Sequence, residues 1–265
     1  MPRAWVLARR NELQATPRKA NYMVAVIRRV LSLAVDIELR PDNPASRIKA
    51  LRMGAGYRAW TDAEIAMMTG PSAQDVALAV RIALHTGQRQ ADVLGLVWSA
   101  YDGRCIRLRQ GKSRHLPDSS VMTIPVHPQL RAALAAAKAA NDGRDTPSAL
   151  ICTDAAGRPW RRDGFKHRFA ELRTELGMAS DMQFHGLRHS AASRLAESGA
   201  SDAEIQAITG HRTRAMVAKY TAGARQHMLA NQAVTRMRRK QAANGRLSKS
   251  ETRSVKLDLD EERTE

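Results

Sequence analysis

Apolar residues between Lys19 and Leu39 recur at the spacing of an α-helix. The recurring positions are Met23, Val26, Ile27, Val30, Leu31, Ala34 and Ile37. The run "RPDNPAS" follows with two prolines and several turn-forming residues, which end the helix. "MGAGY" then has the composition of a linker. Residues 1–56 are therefore predicted to form a short helical segment with too few residues for an independent core.

The helical period resumes after the linker and is marked by capping signals. Thr61 with Glu64, and Ser201 with Glu204, have the spacing of capping boxes at two helix starts. The predicted C-caps of two helices are Gly87 and Gly210. Further helices are predicted in "QLRAALAAAKAA", "RDGFKHRFAELRTEL", the segment after Phe184, "RTRAMVAKY" and "RQHMLANQAVTRMRRK".

Two β-prone runs interrupt this helical pattern. "CIRLRQ" and "SVMTIPVH" are joined by the polar stretch "GKSRHLPDSS", which predicts a small antiparallel hairpin with a long turn. "RQADVLGLVW" is predicted as a short helix that runs into a strand. The tail "NGRLSKSETRSVKLDLDEERTE" is polar and charged, and is predicted to be mobile until it meets a partner. The fold class is thus α+β, mainly α-helical, with one small sheet.

The charge of the chain points to a polyanionic partner. Lys and Arg number 43 against 26 Asp and Glu, a formal net charge of +17. A surplus of this size favours nucleic acid as the partner. Anionic lipid is the other candidate, although no apolar run approaches the ~20 residues that span a bilayer. Only 4% of residues are aromatic, which argues against a stacking surface for single strands. Cys105 and Cys152 form no CxxC pair and the N-terminus shows no signal peptide, so a cytoplasmic protein is predicted.

The stretch "FHGLRHSAAS" places three chemically active side chains on one helix face. His185 and His189 are four residues apart, a spacing that zinc hydrolases use. Those enzymes have a glutamate after the first histidine, where this chain has Gly186, and Arg188 would repel a divalent ion. The alternative is that neither histidine has a chemical role: one caps the helix, and His189 is exposed to solvent. A phosphate-binding role agrees better with the rest of the chain.

Other segments add groups that suit a phosphate. Arg89 follows a glycine C-cap in "TGQRQADVLGL", and Lys112 lies in the hairpin turn "QGKSR". "ITGHRTRAMVAKY" contains His211 after another glycine, and Tyr220 nine residues later. Each residue alone is ordinary; the combination and its order carry the inference. The chain has neither a glycine-rich nucleotide loop nor a carboxylate cluster for Mg²⁺.

Four segments of the chain resemble the signatures of the tyrosine recombinases, the phage integrase family. They are "TGQRQADVLGLVW", "HGLRHSAASRLAESG", "ITGH" and "AKYT". The resemblance extends from about Tyr57 to Met228. It implies an integrase-type catalytic domain at 57–228, preceded by a partial SAM-like helical domain at 1–56 and followed by a C-terminal helix and charged tail at 229–265. The residues that match the family's catalytic positions are Arg89, Lys112, His185, Arg188, His211 and Tyr220.

The resemblance implies a site-specific recombinase that breaks and rejoins duplex DNA through a 3′-phosphotyrosyl intermediate. Tyr220 would be the nucleophile, while Arg89 and Arg188 would bind the non-bridging phosphate oxygens in bidentate fashion. No metal, ATP or other cofactor is needed, because one phosphate ester replaces another. The implied partners are double-stranded DNA and further copies of the chain in a tetrameric synapse, with the C-terminal element lent to a neighbouring protomer.

The remaining matched residues would handle protons. A phenol is mostly protonated at neutral pH, so His185 is a candidate general base for Tyr220. Lys112 would protonate the leaving 5′-oxygen. His211 would either donate to the phosphate or position the tyrosine, and both roles stay open. Asp92 is at the position of an acid that helps hold the first arginine.

One departure from the family and two rival functions bear on this interpretation. Family members carry a helical domain of ~100 residues before the linker, a typical small-domain size, whereas 56 residues precede it here. We therefore expect half of the DNA clamp to be missing and recombination by this chain alone to be in doubt. A type IB topoisomerase-like enzyme would share the chemistry on a single duplex. A DNA-binding fragment without catalysis is the other rival, disfavoured because all six chemical positions are filled.

Overall fold

The computed structural model describes residues 1–54, 56–111 and 121–261, with side chains as far as 241. Two compact units divide the chain, Met1–Gly56 and Tyr57–Glu265. The predicted class is confirmed: the described residues are mainly helical with a small antiparallel sheet.

The first unit contains helices α1 (Arg3–Glu12) and α2 (Pro17–Asp36). Proline at the start of α2 is favourable because its fixed φ suits the first helical position. The unit has a small apolar cluster, formed by Val6, Val24, Leu31, Ala45 and Ile48. Arg28 ties the segment after α2 to this cluster, since its Nε donates to the Ala45 carbonyl at 3.0 Å.

The second unit carries the remaining helices and both described strands. The helices are α3 (Asp62–Met68), α4 (Gln74–Thr86), α5 (Gln90–Leu94), α6 (Pro128–Asp142), α7 (Arg162–Glu175), α8 (Gly186–Glu197), α9 (Asp202–Thr209) and α10 (Arg214–Glu261). The strands β1 (Cys105–Leu108) and β2 (Met122–Pro125) pair antiparallel, with Ile106 opposite Ile124. Both isoleucines are buried in the main core, so one face of the hairpin is anchored there.

Helix α4 lies at the centre of this core. Val76, Val80 and Ile82 are fully buried along it, and Leu187 of α8 belongs to the same cluster. Helices α4 and α8 contact each other. Helix α4, which ends at Gly87, and helix α8, which carries Arg188, are therefore both anchored in this core.

The predicted capping signals are formed. Thr61 and Glu64 make a reciprocal capping box at α3, and Ser201 and Glu204 make one at α9. Both Gly87 and Gly210 adopt the left-handed conformation, with φ of 64° and 69°. Only glycine enters this region without strain, and each glycine turns the chain into a segment that carries site residues.

Two local predictions are wrong. The run after α5 does not become a strand; Val97 forms a single bridge with Leu150, and a 3₁₀ turn follows at Trp98–Ala100. The two predicted C-terminal helices and the tail form one helix, α10, in the described residues. Residues 214–261 contain no proline, and arginine, lysine, alanine and glutamine favour the helix, so Gly223 and Gly245 do not interrupt it. No described helix is long and apolar enough to cross a membrane.

Candidate active site

Arg89 lies at the N-cap of α5, directly after the turn at Gly87. Its Nη1 donates to the side-chain oxygen of Gln110 at 2.9 Å. The same atom is 3.8 Å from Oδ2 of Asp92, while Oδ1 of Asp92 accepts from the backbone N–H of Gly111 at 2.7 Å. Asp92 therefore holds both the first arginine and the chain that leaves β1.

Arg188 is a buried cation in the first turn of α8, only 3% exposed. Its Nη1 makes short hydrogen bonds to the carbonyl oxygens of Gly87 and Thr209. Its Nη2 is buried and has no hydrogen-bond partner among the described residues. Burial, together with repulsion from Arg89, lowers the pKa of Arg188 to about 10. Buried charges are normally paired, so this guanidinium is arranged to receive an anion.

His211 is buried beside Arg188 and is neutral in this arrangement. Its Nε2 accepts a hydrogen bond from Nε of Arg188 at 3.1 Å, which leaves the ring proton on Nδ1. Nδ1 lies 2.6 Å from Oγ1 of Thr209, and that hydroxyl donates in turn to the carbonyl of Ile205. Burial and the cations Arg188 and Arg89 lower the pKa of His211 to about 3. The tautomer follows from these partners.

Tyr220 lies on α10 with its ring between two imidazoles. The ring centroids of His189 and His211 are 5.0 Å and 5.2 Å from the centroid of Tyr220. The phenol is partly buried against the apolar cluster at the junction of α8, α9 and α10. The ring is thus held against His211, and the phenol is close enough to Arg188 to raise the pKa of that arginine.

His185 is the N-cap residue of α8 and is half-buried. Its ring lies 4.9 Å from the ring of Tyr57. Lys112, the predicted general acid, lies outside the described residues. His189 is not the solvated residue that its sequence context suggested, because both of its ring nitrogens face backbone carbonyls.

The structure brings the described candidates together from distant stretches. The pKa of His211 responds to Arg188, Arg89 and His185, and that of Arg188 responds to Tyr220. Five matched positions thus surround one small region, although they come from four different segments. This is the arrangement expected of a site for a single anionic group.

Sequence reasoning missed a buried amide pair that braces the site. Gln110 donates to Oε1 of Gln88 at 2.6 Å and to the Thr209 carbonyl at 3.0 Å, while its own oxygen accepts from Arg89. One side chain therefore links the Arg89 turn, the end of β1 and the segment before His211. The glycine at 210 is the one signal in the sequence for this close contact, because a Cβ there would lie 2.3 Å from Nε2 of Gln110.

A cleft of about 550 Å³ opens beside Arg89 and His185. Its cationic side chains also include Arg162 and Lys166, one turn apart on α7, and Arg173. Arg173 is already engaged with the carbonyls of Ser180 and Met182, whereas Arg162 and Lys166 are exposed. No carboxylate is among the described residues that line the cleft.

The chain spans about two thirds or less of the length of the two curated relatives described here. The "Integrase" of Mycobacterium phage FRAT1 is 25% identical over 221 residues, which are 77% of this chain and 65% of the relative. The "Shufflon-specific DNA recombinase" of Escherichia coli is 32% identical over 162 residues, 59% of this chain and 35% of the relative.

Solved structures share the fold at lower identity. A lambda integrase tetramer bound to a Holliday junction superposes with a TM-score of 0.69 at 20% identity, over 83% of this chain and 64% of the other. The Tn1549 transposon integrase in complex with circular intermediate DNA gives 0.66 at 18% identity, over 83% and 79%. The model described as "Phage integrase family" matches residues 63–227, more than half of the chain. With that match over the unit that gathers the site, this chain belongs to the phage integrase family.

Proposed function

We propose that this chain breaks and rejoins duplex DNA by site-specific recombination through a 3′-phosphotyrosyl intermediate. One observation carries the proposal: Arg188 is a buried cation whose Nη2 has no partner among the described residues, beside the second cation Arg89. A phosphodiester would satisfy that donor and neutralise the repulsion between the two guanidinium groups. The catalytic unit is proposed to comprise residues 57–228, after a partial DNA-binding domain at 1–56 and before a C-terminal element at 229–265.

In the proposed first step, the hydroxyl oxygen of Tyr220 attacks the phosphorus and displaces the 5′-oxygen of the next nucleotide. The phenolic proton passes to His185, and the departing oxygen takes a proton from Lys112. Negative charge grows on the non-bridging oxygens, where Arg89 and Arg188 are already oriented. The reverse attack by a 5′-hydroxyl restores the backbone, so neither a metal nor ATP is required.

His211 changes partners in this scheme. In the structure, its Nε2 accepts from Arg188 and therefore carries no proton to donate. A phosphate that draws the guanidinium away would free Nε2, and the added negative charge would favour its protonation. His211 then donates to a phosphate oxygen, while its ring still lies against Tyr220. Both roles considered from the sequence therefore remain part of the proposal.

The cleft beside Arg89 is the proposed path of the cleaved strand. Arg162 and Lys166 lie on the same face of α7 and are exposed, so they can reach phosphates next to the scissile one. The charge of +17 agrees with a grip on the DNA backbone.

The proposed working assembly is a homo-oligomer on DNA, in the cytoplasm. Two similar structures are a lambda integrase dimer bound to a COC′ core site and a tetramer bound to a Holliday junction. Four copies would pair two duplexes and exchange their strands. A topoisomerase-like reaction on one duplex would instead relax supercoils at enzyme concentrations too low for pairing.

A nicked suicide duplex tests the proposal. Cleavage next to the nick releases a short oligonucleotide, which diffuses away and leaves the protein covalently joined to DNA. We expect a slow-migrating band with the wild type, and its loss with Tyr220→Phe at unchanged DNA affinity. Persistence of the band in Tyr220→Phe would assign the nucleophile elsewhere. DNA binding without any wild-type adduct would favour the non-catalytic rival.

A further inference from the structure

His189 lies between two backbone carbonyls from distant parts of the second unit. Its Nε2 is 3.0 Å from the carbonyl oxygen of Tyr220, and its Nδ1 is 3.2 Å from that of Tyr57. Each bond needs a proton on the facing nitrogen, so the neutral ring makes one and the imidazolium makes both. The side chain therefore connects α8, α10 and the segment that begins the unit.

The contact with Tyr220 has two further parts. The hydroxyl of Ser193, one turn along α8, donates to the same carbonyl at 2.9 Å. The imidazole of His189 also packs against the phenol, with 5.0 Å between ring centroids. Helix α8 thus holds both the backbone and the ring of Tyr220, while its own first turn presents Arg188.

The other end of the contact is fixed by close packing. The backbone N–H of Trp60 donates to Oγ of Ser190 at 2.8 Å. Gly186 lies so close to this segment that a Cβ would come within 2.4 Å of the Arg58 carbonyl. The segment around residues 57–60 therefore rests directly on the start of α8, and the position of Tyr57 is not free to follow His189.

We propose that His189 is a positioning residue for Tyr220, acting through the hydrogen bond from Nε2 to the Tyr220 carbonyl. This inference rests on the proposed function. The phenolic oxygen lies at the end of a long side chain, so a small shift of the helix backbone displaces it considerably. Misplacement of a reacting atom by ~1 Å can lower the rate by ~10²-fold. His189 fixes the nucleophile relative to Arg188, because both residues belong to α8.

Two substitutions separate the two bonds of His189. The side-chain nitrogen of glutamine can take the place of Nε2, so His189→Gln retains a donor towards Tyr220. The side-chain nitrogen of asparagine is closer to the backbone and can replace only Nδ1, so His189→Asn retains a donor towards Tyr57. Both variants lose the imidazole ring, which makes each the matched control of the other.

The experiment measures adduct formation on the suicide duplex in single turnover, at saturating DNA. We expect His189→Asn to be ~10- to 100-fold slower than wild type and His189→Gln to stay within ~5-fold, with DNA affinities unchanged. A duplex with a sulfur leaving atom at the scissile bond needs no proton donor. The loss in His189→Asn should persist on it, because the defect lies in the nucleophile.

A second measurement needs no DNA. Backbone hydrogen exchange at residues 217–224 should be faster in His189→Asn than in His189→Gln, because only the former loses the bond from residue 189 to the Tyr220 carbonyl and leaves Ser193 as its sole side-chain donor. The inference would be overturned if the two variants formed the adduct at equal rates and showed equal backbone hydrogen exchange. It would also be overturned if His189→Asn regained the wild-type rate on the sulfur substrate. If the wild type formed no adduct while the two variants still differed in hydrogen exchange as expected, the result would count against the proposed function and not against the role of His189.

Discussion

The Nε atom of Arg188 lies 3.1 Å from Nε2 of His211, so two residues proposed to bind the phosphate are hydrogen-bonded to each other. Both side chains are buried, at 3% exposure each. Burial lowers both pKa values, and the neutral imidazole is what allows the guanidinium to stay charged beside it. His211 is thus an internal acceptor for this cation, and we propose that a phosphate takes its place.

Arg188→Lys tests the need for a planar, bidentate donor. An ammonium keeps the charge but cannot reach a phosphate, His211 and two carbonyls at once. We expect adduct formation to fall by ~10²–10³-fold. The lost hydrogen bonds to Gly87 and Thr209 should also lower the free energy of unfolding by roughly 1–3 kcal/mol. Suicide-duplex kinetics and urea denaturation measure the two effects, and a near-wild-type rate would contradict the assigned role.

Gln110→Met tests the brace between segments. Methionine has a similar shape but neither donates to Gln88 and Thr209 nor accepts from Arg89. The free energy of unfolding should fall by roughly 1–3 kcal/mol, because buried polar groups lose partners. Adduct formation should slow by ~10-fold or more, since Arg89 loses its orientation. Gln129→Met, at an exposed position in the first turn of α6, is the control and should change neither quantity.

The cleft predicts which cations contribute to salt-dependent binding. Arg162→Ala with Lys166→Ala should reduce the slope of log affinity against log salt by ~1.8, at ~0.9 for each lost phosphate contact. Arg158→Ala with Arg161→Ala removes the same charge from a separate pocket, which shares no lining residue with the cleft. Fluorescence anisotropy across a salt series compares the two doubles. Equal slopes would show that net charge, rather than the cleft, governs binding.

Two histidines, the buried His211 and the half-buried His85, predict a loss of stability in mild acid. Burial and the stacked ring of His127, 4.6 Å away, lower the pKa of His85 to about 4, and the pKa of His211 is about 3. Unfolded histidines bind protons at about pH 6.5, so the unfolded state takes up more protons below that pH. The free energy of unfolding should therefore decrease from pH 7 to pH 5, before most carboxylates titrate.

Urea denaturation at pH 7 and pH 5 measures this decrease. His85→Phe keeps an aromatic ring against His127 but removes one titrating group, so its decrease should be smaller than that of the wild type. An identical pH dependence in the two proteins would contradict the assignment to His85.

Much of the framework could be predicted locally. The capping pairs Thr61–Glu64 and Ser201–Glu204 mark helix starts because their spacing alone lets side chains reach backbone N–H groups. The β-prone runs around Ile106 and Ile124 predicted the hairpin in the same way. The prediction of a strand near Val97 was wrong, because its apolar residues pack into the core without pairing along a neighbouring strand. The local sequence does not distinguish these two uses of an apolar run.

The sequence by itself determined the residue types and their order. The resemblance to the family rests on three of these residues and their order. They are the arginine after the turn at Gly87, the arginine in "HGLRH" and the tyrosine after "ITGH". Glycine at 87 and 210 could be predicted as C-caps, since few other residues adopt a positive φ without strain.

Tertiary structure alone decided how these groups act on one another. The bond of Arg188 to His211, the brace at Gln110 and the contacts of His189 join residues 21 or more positions apart along the chain. Such contacts depend on which helix faces pack, and a periodic pattern specifies a buried face without naming its partner. The low pKa values follow only from burial, which exists once the chain has folded around these side chains.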